Sequence, residues 1–106
     1  MRLYHNPRCS KSRQALSLLK DRGIEFEEYR YLDKGIDHKD LQILFDVQGI
    51  IRMNDLQQKQ VIDVSNFDEF KSLLQSRPEV LQRPVLIHNG LAVIGRPPED
   101  ILTLLP

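Results

Sequence analysis

The chain has 106 residues, enough for one domain around a single modest core and too few for two. Fifteen Lys and Arg offset fifteen Asp and Glu, leaving a formal charge of zero, which argues against a dedicated nucleic-acid binder with its basic excess. No apolar run approaches the roughly 20 residues that span a bilayer, and "MRLYHNPRC" lacks the apolar core of a signal peptide. The single cysteine excludes an internal disulfide framework and any multi-cysteine metal site. A reducing, cytoplasmic setting is therefore expected.

The segment "RLYH" reads as a short strand broken by Asn6-Pro7. Ala15, Leu16, Leu18 and Leu19 recur at helical spacing within Ser10 to Arg22, and Gly23 is a fitting stop. "IEFEEYRYL" predicts a second strand, bent or bulged where its alternation fails near Glu27 and Glu28. Leu41, Leu44 and Phe45 predict a helix capped at Asp37 and ended by Gly49. "IIRMNDLQQKQ" stays open between a loop and a helical turn. Phe67, Phe70, Leu73 and Leu74 then line one face of a further helix, with Pro78 beyond its end. "PVLIH" and "LAVI" flank Asn89-Gly90, a strong two-residue hairpin signal. "PPEDILTLL" closes as a helix, with prolines and acids where a helix start favours them.

Two strands joined through a helix are normally parallel, with a right-handed crossover. Adding the hairpin gives an α/β domain over residues 1–106: a thioredoxin-like mixed four-stranded sheet with flanking helices and a helical insertion. The loop before the first helix then lies at the carboxyl end of a strand, where open α/β sheets bind ligands. Cys9 is on that loop.

A lone cysteine is most often a small buried hydrophobe. Here it sits at a predicted helix N-terminus, where free N–H groups and the helix dipole favour a thiolate. His5, Arg8, Lys11 and Arg13 surround it in sequence, and each positive charge favours the anion a nucleophilic thiol needs. The bland alternatives are a solvated helix start for Arg8 and Lys11 and a satisfied strand histidine for His5. Arg22, Arg30 and Arg77 read as solvated surface arginines.

"HNPRCSKSR" resembles the HxxxCxxxR signature of the arsenate reductase family of the glutaredoxin-coupled type. The likeness continues through "IIRMND" at Arg52, "LQRPVLI" at Arg83-Pro84 and "LAVIGRPPEDILTLLP" at Arg96, covering nearly the whole chain in the family's order. The resemblance implies that Cys9 is the catalytic nucleophile and that Arg52, Arg83 and Arg96 bind a tetrahedral oxyanion. Guanidinium forks suit that task because they match such an anion in shape and stay charged. It implies that His5, Ser12 and Arg13 tune the thiolate and its loop, and that Pro84 is a cis-proline. It also implies arsenate or a similar oxyanion as substrate, glutathione as co-substrate and glutaredoxin as partner, with no bound cofactor, metal, nucleic acid or membrane. No second cysteine is needed, since the other thiols come from outside.

The sequence departs from the better-known reductases at Arg8, where they carry a small residue, and in "QQKQVIDVSNF". Two other functions therefore stand beside arsenate reduction. One is glutathione-dependent reduction of a different substrate. The other is a non-enzymatic, Spx-like partnership with the transcription machinery. Spx-type proteins commonly carry a CxxC switch, whereas here the corresponding residues are Cys9 and Ser12, so no disulfide can form between them.

Overall fold

A computed structural model of the chain describes residues 1–53 and 62–105. Strand β1 (Arg2–Tyr4) leads through the Cys9 loop into helix α1 (Ser10–Asp21) and strand β2 (Glu27–Tyr29). Short helices α2 (Tyr31–Lys34) and α3 (Leu41–Phe45) and the longer α4 (Phe67–Ser76) form the helical insertion. Strands β3 (Val85–His88) and β4 (Leu91–Ile94) follow, and a 3-10 segment, Pro98–Leu104, closes the fold. The sheet order is β2-β1-β3-β4, with β1 and β2 parallel and the other pairs antiparallel. This is the expected mixed, thioredoxin-like sheet.

Side chains on a strand alternate between faces, and that alternation builds two cores. On β1, Leu3 joins Ala15, Leu19, Leu86 and Ile101 beneath α1 and the closing 3-10 segment. Its neighbour Tyr4 turns the other way, to Tyr29, Tyr31, Val85 and Ile87 and the helices of the insertion. Each fully buried Leu or Phe in these layers contributes roughly 2 kcal/mol relative to exposure. Helix α1 presents Ser12, Ala15 and Leu19 inward and ends where Gly23, at φ +67°, takes the left-handed conformation that glycine tolerates without steric penalty. Asn89 and Gly90, at φ +52° and +76°, form the tight turn expected between β3 and β4.

Four sequence expectations need correction. Strand β2 has three residues, paired Arg2↔Glu27, Leu3↔Glu28 and Tyr4↔Tyr29 without a bulge. The break in alternation instead marks the strand's end, and Tyr31 already belongs to α2. Asp37 does cap, accepting from the Lys39 N–H, but what it caps is a 3-10 turn at His38–Asp40. Helix α3 begins only after that turn and stops at Phe45, short of Gly49. The closing segment is 3-10 rather than α over its whole length. The stretch "NDLQQKQ" lies outside the described residues; Ile51, three residues before it, forms an isolated antiparallel bridge with Leu81.

Candidate active site

The site is assembled at the carboxyl end of β1. Pro7 and Arg8 are exposed, and the chain turns as the Cys9 N–H donates to the Asn6 carbonyl at 3.0 Å. Cys9 takes the N-cap position of α1 in an extended conformation. Its sulfur makes no formal capping hydrogen bond, yet it stands where a capping oxygen would, before the open N–H groups of the first turn. Arg13 does not approach the sulfur by any described contact. Its Nη1 donates to the Pro7 carbonyl at 3.0 Å and so braces the loop from outside.

His5 and Ser12 form the floor. His5 Nδ1 lies 2.7 Å from Ser12 Oγ, which also accepts from the Asn6 N–H at 3.0 Å, and both side chains are buried. Burial lowers the His5 pKa, and the opposing influence of Glu28 does not restore it. The shift favours the neutral imidazole, and the contact this ring makes is with Ser12 of the loop. Ser12, where a CxxC switch would carry its second sulfur, is instead locked into that floor.

Positive charge arrives from the far end of the chain. The hairpin register pairs Val85 with Ile94, and β1 pairs Tyr4 with Val85. Continued two residues past β3, that register sets Arg83 opposite Arg96 and beside the loop leaving β1. The contacts agree: Arg96 Nε donates to the Arg83 carbonyl at 3.0 Å, and its Nη2 lies 3.7 Å from Cys9 Sγ. Arg83 Nη1 donates to the Glu79 carbonyl at 3.3 Å. The Arg83–Pro84 peptide is cis, and so is Arg96–Pro97, which no local sequence signal announced. Gly95 fits between these features because a side chain could not. A Cβ there would sit 2.7 Å from Pro84 Cγ and 3.0 Å from Ile101 Cγ2.

Arg52 is brought alongside by backbone pairing. Its N–H donates to Val80 at 2.7 Å, while the Gln82 N–H donates to Ile50 at 2.8 Å. With Ile51 bridged to Leu81, the 50–52 segment runs beside the residues leading to Arg83. Arg52, Gln82 and Arg96 line one open cleft of about 470 Å³.

The electrostatic result is legible at the sulfur. Burial alone would raise the Cys9 thiol. The backbone N–H groups of Ser12 and Lys11, a hydrogen bond from Arg83 and the charge of Arg96 outweigh it and hold the thiol below its ordinary value. Thus helix amides and remote guanidiniums dominate, not the cationic side chains adjacent in sequence. Among the described residues, no group of three or more His, Cys, Asp or Glu side chains is placed to hold a metal, and no helix is long and apolar enough to cross a membrane.

The chain is thus a thioredoxin-like domain with one cysteine, its thiol held low, at the start of the first helix and faced by arginines from both ends of the hairpin. The ArsC family model matches residues 4–104, and the chain belongs to that family. It is 40% identical to an arsenate reductase of Neisseria meningitidis serogroup A, over 99% of this chain and 97% of that one. It is 36% identical to an uncharacterized Escherichia coli protein, YfgD, over 99% and 96% of the two chains. The solved structure of an arsenate reductase from Vibrio cholerae superposes with a TM-score of 0.78 at 30% identity, covering 99% of this chain and 98% of that one.

Proposed function

We propose that residues 1–106 act as one domain that reduces arsenate to arsenite in the reducing cytoplasm, with glutathione as co-substrate and glutaredoxin as electron donor. The observation that carries this reading is the convergence of Arg83 and Arg96, remote in sequence, on a sulfur whose thiol is held low. The thiolate of Cys9 attacks arsenic; a sulfur–arsenic bond forms, and one arsenate oxygen leaves as water after protonation. Arg52, Arg83 and Arg96 hold the remaining oxygens and offset their charge. A glutathione thiol then displaces a second oxygen, again as water. Glutaredoxin's thiolate attacks the glutathione sulfur, whose bond to arsenic breaks. That electron pair stays on arsenic, taking it from As(V) to As(III), and leaves glutaredoxin and glutathione joined as a mixed disulfide. Water displaces Cys9 from As(III), releasing arsenite and restoring the thiol, and a second glutathione frees glutaredoxin.

The test is arsenite production by purified protein supplied with arsenate, glutathione and glutaredoxin. Wild type turns over and Cys9→Ser falls to background. Full activity in Cys9→Ser would end the proposal.

A further inference from the structure

Tyr31 is fully buried, and its hydroxyl has no hydrogen-bond partner among the described residues. Buried polar groups are ordinarily satisfied, because a donor buried without an acceptor loses its hydration with nothing in return. The ring itself is well placed: it stacks on Tyr4, with centroids 5.8 Å apart and planes at 30°. It opens helix α2, which packs against the Pro78–Val80 turn. That is the same turn whose Glu79 carbonyl accepts from Arg83. Tyr31 also lies at the sheet end where the Cys9 loop emerges: β2 runs parallel to β1, the carbonyl of its last residue, Tyr29, accepts from the His5 N–H at 2.9 Å, and Tyr31 follows two residues on. The charges that bear on the hydroxyl are those of the site: Arg83, Cys9, Arg52 and Arg96.

We propose that Tyr31 is a further oxyanion-binding residue, its hydroxyl donating a hydrogen bond to an oxygen of the tetrahedral anion held at Cys9. This rests on the oxyanion-reducing role argued above. The guanidiniums supply charge; the phenol adds a neutral donor fixed by its stacked ring. Burial, opposed by Arg83 and reinforced by Cys9, pushes its pKa up to about 12, so the proton needed for donation is present throughout the neutral range. In the free protein the donor's lost hydration is uncompensated, and an anion restores the missing acceptor. The binding contribution is therefore concentrated on the bound state.

Tyr31→Phe keeps the ring and removes the donor. With arsenate, glutathione and glutaredoxin supplied, kcat/KM for arsenate falls roughly 10- to 100-fold, the loss expected for one hydrogen bond to a charged group, chiefly through a higher KM. A merely structural tyrosine would lose stability when altered. Here the melting temperature of Tyr31→Phe without anion equals or exceeds that of wild type, since an unpartnered buried hydroxyl has gone. Added arsenate raises the melting temperature of wild type more than that of the variant. Equal arsenate kinetics in the two proteins, or a variant that melts earlier and loses activity in proportion, overturns the Tyr31 assignment and leaves the reductase reading standing. A wild type that neither turns over arsenate nor is stabilised by it overturns the reading beneath.

Discussion

The two ends of β1 each carry a cluster of charge, and they are built on opposite plans. At the amino end the Arg2 guanidinium meets Asp37 and Asp40 at 2.7 Å each and Glu27 at 3.2 Å, over the face of Tyr29. Asp40 also accepts from the Tyr4 hydroxyl at 2.6 Å. At the carboxyl end, the described acceptors of Arg96 are a carbonyl and the Cys9 sulfur, neither of them a carboxylate. In the first cluster the guanidinium is met by carboxylates of its own chain, which ties the insertion to the sheet. The second gathers positive charge around a thiol held low and, on the proposed function, is complementary to an anion brought from outside. On that reading similar residue types do structural work at one end and chemical work at the other, according to whether the partner is internal.

Exchanging the two plans should break the contrast, most severely at the sulfur. Arg83→Ala or Arg96→Ala lowers kcat/KM for arsenate roughly 10- to 100-fold. Each also raises the midpoint of Cys9 alkylation with pH toward the ordinary thiol value of about 8.5, with little change in melting temperature. An unmoved alkylation midpoint in both variants would show that neither guanidinium supports the thiolate. Asp40→Ala has the reverse profile. It leaves Arg2 short of a partner and the Tyr4 hydroxyl without its acceptor, lowering stability by about 3 kcal/mol in urea unfolding, while kcat/KM per folded molecule stays near wild type.

Gly95→Ala sharpens the comparison by touching the reactive end through packing alone. Its Cβ would crowd Pro84, so urea unfolding should show a loss of about 1–3 kcal/mol, accompanied by a fall in activity as the arginine-bearing strand ends shift. The smallest effect is in acid. The Arg2 hydrogen bond, first among its causes, holds the Asp37 carboxyl below its ordinary value. A depressed acid stabilises the fold above its unfolded pKa, about 3.9, and loses that contribution as pH falls through the lower folded value. A melting profile taken downward from pH 6 should show this step in wild type and a reduced one in Arg2→Ala, the difference shrinking in high salt.

What could be read from the chain in advance was local or followed from a register. Helix α1 is written in Ala15 and Leu19, and the β3–β4 turn in Asn89-Gly90. That turn carries more than itself: a two-residue hairpin fixes which residues oppose one another, so the meeting of Arg83 and Arg96 follows from it. The misread parts lack such a rule. Tyr29 and Tyr31 look alike as β-formers, yet one closes a strand and the other opens a helix, because the insertion needs its first turn there. The closing segment has helical spacing, but seven residues led by paired prolines settle into 3-10 turns between β4 and α1. The burial of His5 against Ser12 was not legible either, because sequence spacing carries no information on burial. Tyr31 was passed over as a site residue for a related reason: an aromatic at the end of an expected strand looks like core, and only coordinates reveal a hydroxyl with nothing to bond.

Cys9 is the one sulfhydryl in the chain, so damage or modification at that atom cannot be folded away into a ring within the molecule. Whatever becomes attached there remains until something else arrives to lift it off. On the proposed thiol-coupled function the protein's working state is hostage to the ambient thiol pool, and starving that pool should leave the population stalled at a single, heavier mass.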